Sequence, residues 1–385
     1  MNDPSCPLIP VINAFFIQFL IALQSYGHAS KAQNRRQKFS CGSRWAGFRP
    51  SDAEFAVSKI SSNFFDRLES AGIAKNVNFE TMRFAPFLKP GDKVGLLSPA
   101  RKISPEEVAP AMASLQEWGL IPVLGTHIYS VSRQFAGTDA ERIEDMQKMI
   151  DDPEIKAILF SRGGYGCLRI ADQIDFSRLK QFPKWLVGFS DLTAFGAAML
   201  KAEVASIHGP MCISWNGKTA DPISRGHLRE MLMGNVPKYS YVPSNPDACR
   251  TGQGTGRLVG GNLSILSQLI GTPHDIDTKG NILFIEDIDE YLYHIDRMMV
   301  HLKRSGKLKG LAGLIVGGFN DIKDNEIPFG ATIEEIVRDA VGASDFPICF
   351  GFPTGHWPSN YPLVVGAKAT LSVSHAMVEL TMELK

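Results

Sequence analysis

Three side chains that could together cleave an acyl bond follow apolar, strand-like segments of this chain. Ser190 follows WLVGF, Glu286 ends ILFIE, and His356 lies in FPTGHWPSN after another apolar run. A serine hydroxyl is a weak nucleophile until a base takes its proton, and a carboxylate can hold that base in position. Imidazole is suited to be the base because it titrates near neutral pH. The combination predicts a serine hydrolase, provided that the fold brings the three side chains together.

Each of the three residues also has an ordinary structural explanation. A serine between a strand and a helix often caps the helix, so Ser190 could be only an N-cap. A carboxylate at the end of a strand is often solvated, and Glu290, four positions beyond Glu286, competes for the same role. A histidine in a Pro/Gly loop, such as His356, is often simply exposed. The prediction therefore depends on the three residues acting together.

A glycine-rich loop, SRGGYG at residues 161–166, follows the apolar segment KAILF. Adjacent glycines allow backbone N–H groups to approach an anion closely, because no Cβ atom stands in the way. The loop is not a nucleotide-binding P-loop, since G-x-x-x-x-G-K-[ST] does not occur in it. It could stabilise an oxyanion, or it could be only a tight turn between a strand and a helix.

The elements that would position these residues alternate between strand and helix. KVGLLSPA, IPVLGT, KAILFS and KWLVGFS have the apolar character of buried strands, and segments of helical character follow them. Such alternation predicts a parallel sheet flanked by helices, with the reactive loops at the carboxyl ends of the strands. The glycine loop and Ser190 both follow predicted strands, so we expect them at the same edge of one sheet.

The composition along the chain predicts two domains. Residues 82–215 form the predicted N-terminal α/β domain, which carries Ser190. Residues 216–256, rich in Pro, Gly, Asn and Ser, are the predicted linker. Residues 257–385 form the predicted C-terminal domain, which carries the glutamate and the histidine.

The first part of the chain, residues 1–81, fits none of these patterns. We expect it to be a poorly ordered extension, or upstream sequence attached through a misplaced start codon. The apolar segment 11–23, VINAFFIQFLIAL, is too short to span a bilayer comfortably. Secretion or membrane anchoring through this segment nevertheless stays open.

Overall composition argues against several classes of protein. Forty basic residues balance forty acidic ones, so no net charge favours nucleic acid or an anionic membrane. Six cysteines without a C-x-x-C pair predict free thiols, and nine histidines show neither H-E-x-x-H nor another zinc-ligand spacing. We therefore predict no metal and no nucleic-acid partner.

Five segments, taken in order, resemble the L,D-carboxypeptidases of serine peptidase family S66. These segments are RGGYGCLRIADQID, VGFSDLTA, GGNLSILSQLIGTP, ILFIEDIDEYLYHIDRMM and PTGHWPSNYPLVVGA. The similarity extends from about Lys89 to about Leu371. It implies an N-terminal α/β domain with a parallel sheet, a smaller β-rich C-terminal domain, and an active site between them.

The resemblance also implies a function. Members of this family remove the terminal D-alanine from murein tetrapeptides, by cutting the bond between the L-centre of a diamino acid and D-alanine. The resemblance implies a cytoplasmic enzyme of peptidoglycan recycling that needs no cofactor. Members of the family are commonly homodimers. A branch of the same family instead cleaves peptidyl-nucleotide antibiotics and confers immunity to them. EDIDEYLYHIDRMM is more similar to the recycling branch.

The family's catalytic residues map onto the residues already singled out. The nucleophile corresponds to Ser190 in GFSD, the base to His356 in PTGH, and the acid to Glu286 in IED. The nearby Glu290 keeps the assignment of the acid open.

Two further roles follow from the resemblance and from general chemistry. The resemblance implies that the backbone N–H groups of Gly164 and Asp191 stabilise the oxyanion. A carboxypeptidase must also hold the free carboxylate of its substrate, and guanidinium groups pair well with carboxylates. Arg162 and Arg297 are the candidates for that contact.

Two other classes of protein remain as alternatives. An esterase of the α/β-hydrolase type would share the order serine, acid, histidine, but its G-x-S-x-G turn does not match GFSDL. A non-catalytic protein could use the RGGYG loop to bind a small anion, with Ser190 only as a helix cap.

Overall fold

The structure of the protein, a computed structural model, describes residues 82–216 and 221–384. The predicted extension 1–81, with its apolar segment 11–23, lies outside the described residues. Across the two described ranges, no helix is both long enough and apolar enough to cross a bilayer.

Strands and helices alternate through the first half of the described chain. Its strands are β1 (Lys93–Leu97), β2 (Ile121–Leu124), β3 (Ile155–Phe160), β4 (Trp185–Val187) and β5 (Ser206–His208), and its helices are α1 (Pro105–Glu117), α2 (Asp139–Asp151), α3 (Cys167–Ile170) and α4 (Thr193–Lys201). Helix α1 begins at Pro105 because Ser104 and Glu107 form a reciprocal capping box.

The second half begins with a helix and contains eight further strands. Its elements are α5 (Pro222–Leu232), β6 (Tyr239–Tyr241), β7 (Gly252–Asn262), α6 (Leu263–Leu269), β8 (Ile282–Ile288), α7 (Leu292–Arg304), β9 (Gly313–Asn320), α8 (Ile333–Val341), β10 (Ile348–Phe350), β11 (Leu363–Val365), β12 (Lys368–Val373) and β13 (Val378–Glu383).

The first sheet has six strands in the order β11-β5-β4-β3-β1-β2. Strands β1 to β5 pair in parallel, and β11 joins the edge antiparallel to β5. Alternate residues of the central strands enter two different apolar clusters: Leu96 and Leu159 lie in one, Leu97 and Phe160 in the other. The sheet is therefore covered on both faces, as parallel sheets usually are.

The second sheet has seven strands in the order β10-β9-β8-β7-β12-β13-β6. Strands β7 to β10 pair in parallel, whereas β12, β13 and β6 form its antiparallel part. Leu258 of β7 and Phe284 of β8 share an apolar cluster with Leu159 and Val187 of the first sheet. The two sheets thus pack on one core. The predicted α/β class, with a parallel sheet followed by a β-rich C-terminal region, is confirmed.

The region predicted as a linker, residues 216–256, contains regular structure. Helix α5 begins there, because the Asp221 side chain accepts a hydrogen bond from the N–H of Ile223 and Pro222 occupies the first turn. Strand β6 and the first residues of β7 also fall within this region. It therefore contributes an edge strand to the second sheet as well as joining the two halves.

Candidate active site

Ser190 lies in a strained turn between strand β4 and helix α4. Its φ is +63°, in the left-handed region that a residue with a Cβ rarely adopts. A short 3₁₀ turn, Ser190–Leu192, separates it from α4, and within the described chain α4 has no side-chain cap. The Ser190 hydroxyl is therefore not used as a helix cap. Strained serines in strand-to-helix turns are typical of exposed nucleophiles.

The glycine loop passes directly against this turn. A Cβ added to Gly163 would lie 3.2 Å from the Cβ of Ser190 and 3.4 Å from the backbone nitrogen of Asp191. Gly164 follows with a φ of +111°. The backbone N–H groups predicted for the oxyanion, those of Gly164 and Asp191, thus belong to two segments that lie in contact beside the serine.

Buried polar contacts hold the glycine loop in place. Arg142 is 1% exposed and donates hydrogen bonds from Nη1 to the carbonyl oxygens of Pro99 (2.6 Å) and Gly166 (3.1 Å). On the other side, the N–H of Cys167 donates to Oδ2 of Asp191 at 2.8 Å. These contacts join the glycine loop to the rest of the fold and to the turn that carries Ser190.

Glu286 lies near the end of β8, where the pairing with β9 shifts its register between Ile285 and Asp287. Such an irregularity can redirect a side chain from the plane of the sheet. The Glu286 side chain is 0% exposed, and its Oε2 lies 2.6 Å from Nδ1 of His356. The same oxygen accepts the backbone N–H of His356 at 3.1 Å. Glu286 therefore orients the histidine through two contacts.

The contact between Glu286 and His356 depends on a glycine. Gly355 has a φ of +85°, and a Cβ added there would lie 2.4 Å from Cγ of Glu286. Its N–H donates to Oδ1 of Asn360 at 2.9 Å, which holds the loop in this path. A side chain at position 355 would displace the carboxylate from the imidazole.

The two ionisable groups shift each other's pKa in opposite directions. Burial alone would raise the pKa of Glu286, but the charge and hydrogen bond of His356 outweigh burial and hold it below its ordinary value. Burial lowers the pKa of His356, yet Glu286 outweighs burial and raises it above its ordinary value. A carboxylate paired with Nδ1–H stabilises the imidazolium and leaves Nε2 free to accept a proton.

Two contacts connect the serine turn to this pair. The ring of Phe189, the residue before Ser190, lies 4.8 Å from the ring of His356 between centroids. The N–H of Asn262, which pairs with Glu286 across β7 and β8, donates to Oγ1 of Thr193 at 3.0 Å. The turn after β4 thus contacts the loop of His356, helix α4 contacts the end of β7 beside Glu286, and the structure brings the predicted serine, glutamate and histidine into one region.

The competing carboxylate, Glu290, has other partners. Its Oε2 lies 2.7 Å from Nδ1 of His294, and its Oε1 accepts the hydroxyl of Ser264 at 2.9 Å. Of the two glutamates that the sequence left open, Glu286 is the one in contact with His356.

The two candidate arginines lie in different surroundings. Arg162 directly precedes Gly163, and its Nη1 donates to the carbonyl of Lys102 at 3.4 Å. Arg297 lies on the exposed side of α7, with its guanidinium carbon 5.5 Å from the centroid of the Tyr293 ring. The structure therefore places Arg162 beside the serine turn, whereas the contact that it shows for Arg297 is on its own helix.

Sequence reasoning missed one histidine at this site. His208 ends strand β5 and is 4% exposed, with its ring 5.9 Å from that of Phe189 and 4.9 Å from that of Phe284. The only sequence signal was a histidine at the end of the short apolar segment ASIHGP. That signal is weak, because the segment is too short to be recognised as a strand from its pattern.

Comparisons with known proteins point to one family. The family model of the LD-carboxypeptidase N-terminal domain matches residues 94–209, and that of the LD-carboxypeptidase C-terminal domain matches residues 255–371. The chain is 35% identical over 289 residues to the probable murein peptide carboxypeptidase of Bacillus subtilis (strain 168), a match that covers 74% of this chain and 91% of that protein.

Solved structures share the fold. The crystal structure of muramoyltetrapeptide carboxypeptidase from Oxalobacter formigenes has a TM-score of 0.70 and 28% identity, and the match covers 76% of this chain and 99% of that one. MccF in complex with glutamyl sulfamoyl guanosine has a TM-score of 0.69 at 20% identity, with 78% of this chain and 98% of that chain covered. At that identity the second match indicates a shared fold alone.

Proposed function

This chain belongs to the LD-carboxypeptidase family, peptidase family S66, and from that premise we propose that it releases the terminal D-alanine of murein tetrapeptides as a serine carboxypeptidase. The observation that carries the proposal is the buried pair of Glu286 and His356, 2.6 Å apart, in contact through Phe189 with the turn that holds Ser190. The names of the related proteins support the choice of a murein peptide as substrate.

The proposed mechanism begins with proton transfer. Nε2 of His356 takes the proton of the Ser190 hydroxyl, and Oγ attacks the carbonyl carbon that precedes D-alanine. Glu286 remains ionised and stabilises the imidazolium that forms. The negative charge that develops on the carbonyl oxygen is stabilised by the backbone N–H groups of Gly164 and Asp191.

The acyl-enzyme then forms and is hydrolysed. The imidazolium of His356 donates its proton to the nitrogen of D-alanine, the C–N bond breaks, and the rest of the peptide stays esterified to Ser190. A water molecule gives a proton to His356 and attacks the ester carbonyl. The imidazolium then returns a proton to Oγ of Ser190 as the ester C–O bond breaks, which releases the shortened peptide and regenerates the serine. Each step uses the same three side chains, so the loss of any one removes most of the rate.

The free carboxylate of D-alanine requires a cationic partner. We propose Arg162, because it adjoins the glycine loop beside Ser190 and is 29% exposed at its side chain. Arg297 remains a second candidate from the sequence. A guanidinium group would bind the carboxylate by two parallel hydrogen bonds.

The cellular setting is part of the proposal. We propose a cytoplasmic homodimer that acts in peptidoglycan recycling without a cofactor. The alternative within the family, cleavage of a peptidyl-nucleotide antibiotic, predicts a different preferred substrate.

The direct test is to incubate the full chain with a murein tetrapeptide and to measure free D-alanine. We expect release by the parent protein and none by Ser190→Ala with an unchanged circular dichroism spectrum. A peptidyl-nucleotide sulfamate serves as the competing substrate in parallel. Turnover of that compound but not of the tetrapeptide would favour the immunity branch, and retained turnover by Ser190→Ala would rule out the mechanism.

A further inference from the structure

Two cysteines of the described chain lie opposite each other across a short antiparallel pairing. Arg250 and Ile348 exchange both backbone hydrogen bonds: the N–H of Arg250 donates to the carbonyl of Ile348 at 2.9 Å, and the N–H of Ile348 donates to the carbonyl of Arg250 at 3.0 Å. In antiparallel strands the residues one step along from such a pair are directly opposed. On one side of this pair those residues are Cys249 and Cys349, and both are free thiols.

The backbone at both positions supports this register. Cys349 is the middle residue of β10, and Cys249 is extended, with a φ of −71° and a ψ of 153°. The N–H of Cys249 donates to the carbonyl of Pro246 at 3.1 Å, so it is not used across the pairing. Opposed residues that do not exchange hydrogen bonds have Cα atoms about 4.5 Å apart, at the short end of the range of about 4.4–6.8 Å that a disulfide spans. A bond between the two sulfurs therefore requires little movement of either segment.

The two cysteine side chains share one side of the pairing. Cys349 is 0% exposed and belongs to the apolar cluster shared by the two sheets, and Cys249 packs against that cluster. The neighbouring pair faces the other side, where Ile348 belongs to the cluster that contains Phe346, and the guanidinium carbon of Arg250 lies 6.0 Å from the centroid of the Phe346 ring. This alternation is the one expected of extended, paired segments.

The chemical surroundings of the two thiols overlap. Burial raises the pKa of Cys249, although a hydrogen bond from the backbone of Phe350, the residue after Cys349, partly offsets it. Burial raises the pKa of Cys349 to about 12, against a hydrogen bond with Tyr241 and with the repulsion of Cys249. The hydroxyl of Tyr241 also donates to the carbonyl of Phe350 at 2.7 Å. Each thiol is thus close enough to the other to be affected by its charge.

Access from solvent differs between the two thiols. Cys349 is fully buried, whereas Cys249 is only partly buried, and its sulfur lies 3.7 Å from the carbonyl oxygen of Asn245 in the exposed turn before it. A small oxidant therefore reaches Cys249 first, and Cys349 is the thiol placed to react second. Because both pKa values are raised, both thiols are protonated at neutral pH and react slowly.

We propose that Cys249 and Cys349 form a cross-strand disulfide when the folded protein meets a small disulfide oxidant such as oxidised glutathione. The Cys249 thiolate attacks one sulfur of the oxidant and expels one glutathione thiolate, which leaves a mixed disulfide. The Cys349 thiolate then attacks the sulfur of Cys249 and expels the second glutathione thiolate. The two thiol protons pass to the two released thiolates, so the protein loses two electrons and the oxidant gains two. The competing explanation is that the two thiols only fill space as small apolar side chains.

The test uses the full chain with Cys6→Ser and Cys41→Ser, which removes the two cysteines outside the described residues. This parent is incubated, folded, with oxidised glutathione at about pH 8.5, where more of each thiol is ionised. After alkylation, intact mass and non-reducing peptide mapping give the products. We expect the loss of two hydrogen atoms and one crosslinked peptide that joins Cys249 to Cys349. A glutathione adduct on Cys249 that is never displaced, or thiols that stay free, would overturn the proposal.

Two variants and one change of solvent provide the controls. Cys349→Ala keeps the accessible thiol, so we expect a lasting glutathione adduct on Cys249. Cys212→Ala is the matched variant, because burial also raises the pKa of Cys212 to about 12, and the crosslink should form in it as in the parent. In urea the register is lost, and the same oxidant should give several different cysteine pairs. A yield of the Cys249–Cys349 crosslink no higher from the folded protein than from the unfolded chain would count against the register.

Thermal unfolding measures whether the bond suits the folded state. The disulfide closes a loop of roughly 100 residues, which restricts the unfolded chain, so the oxidised parent should have a Tm on the order of 5 to 10 °C above that of the reduced parent. The same treatment of Cys249→Ser should leave its Tm unchanged. An oxidised parent that unfolds at or below the Tm of the reduced parent would contradict the proposed pairing.

Discussion

Oε2 of Glu286 accepts two hydrogen bonds from His356, one from Nδ1 at 2.6 Å and one from the backbone N–H at 3.1 Å. Two contacts to one residue restrict both the rotation of the imidazole and the path of its loop. The glutamate therefore sets the orientation of the base. Four predictions about this pair and the residues around it can be measured.

The first prediction concerns pH. Because Glu286 raises the pKa of His356 above its ordinary value, the base loses its proton only at a pH above that value. Activity requires neutral His356, so we expect kcat/KM to rise with pH along an acid limb that lies above pH 6.5, the ordinary value. Glu286→Gln should move this limb to lower pH and reduce kcat by about 10³- to 10⁴-fold. An unmoved limb in the variant would contradict the assignment of Glu286.

The second prediction concerns Gly355. In Gly355→Ala the new Cβ would meet Cγ of Glu286 at 2.4 Å, so the carboxylate must move away from His356. Gly330→Ala is a matched control, because Gly330 has a similar φ of +82° and a Cβ added there would meet no atom of the described residues within 4 Å. Both variants should lose about 1 kcal/mol through backbone strain.

Only Gly355→Ala should also lose activity, by roughly 100-fold, as expected for a displaced base orienter. The measurement is kcat for D-alanine release, alongside thermal unfolding of both variants. Equal kcat values in the two variants would show that the close approach of Gly355 to Glu286 does not affect catalysis.

The third prediction concerns Arg142, which donates to the carbonyl of Gly166 from a fully buried position. Arg142→Lys keeps the charge but cannot reach Pro99 and Gly166 with one planar group, so the glycine loop should shift. We expect a loss of kcat of about 10-fold or more, because an oxyanion donor moves away from the reacting carbonyl.

The control for this prediction is Arg169→Lys. Arg142 and Arg169 both pair with Asp139, Arg169 at 2.7 Å, but the Arg169 side chain is 46% exposed and such surface pairs contribute little. Its kcat should stay within about twofold of the parent. Equal losses of kcat in the two variants would indicate that both act through their pairing with Asp139, and not that Arg142 supports the glycine loop.

The fourth prediction concerns stability at low pH. The pKa of His208 is lowered to about 4 by burial, from an unfolded value of 6.5. A depressed pKa contributes stability that is present above pH 6.5 and is lost as pH falls through the folded value of about 4. His208→Phe should lack this loss, which amounts to at most about 3 kcal/mol.

Urea unfolding of the parent and His208→Phe at several pH values between about 4 and 7 measures the difference directly. The comparison is needed because His356, whose pKa is raised, contributes with the opposite sign: its stabilisation is lost as pH rises. Parallel curves for the two proteins would mean that His208 is not buried as a neutral group.

The sequence predicted the strands that carry the chemistry and missed many of the others. KAILFS, KWLVGFS and ILFIE are strand-like apolar segments, and each overlaps the expected strand. Strands β5, β6 and β11 are as short as β4, three residues each, and were missed because their pairing depends on the rest of the fold. The segment CLRIADQID has helical character, yet helix α3 spans only Cys167–Ile170, because the chain continues as a 3₁₀ turn, Ala171–Gln173.

The candidate site was predictable in its residue types and not in its contacts. Position at the end of a strand singled out Ser190 and Glu286, because the edge of a parallel sheet follows from topology. The choice of Glu286 over Glu290 could not be made from spacing, since it depends on the irregular pairing of β8 with β9 and on the path of the Gly355 loop. His208 was missed because its ring contacts, with Phe189 and Phe284, are to residues outside its own segment.

The central claim is that Ser190 is activated by His356, and reaction with a serine-directed fluorophosphonate tests it most directly. The measurement is intact mass with peptide mapping, which gives the labelled residue and the rate of labelling in the parent, His356→Ala and Glu286→Gln. We predict one adduct on Ser190 in the parent and a fall in rate of at least about 100-fold in His356→Ala. An unlabelled Ser190, or labelling at the same rate without the imidazole, would contradict the account.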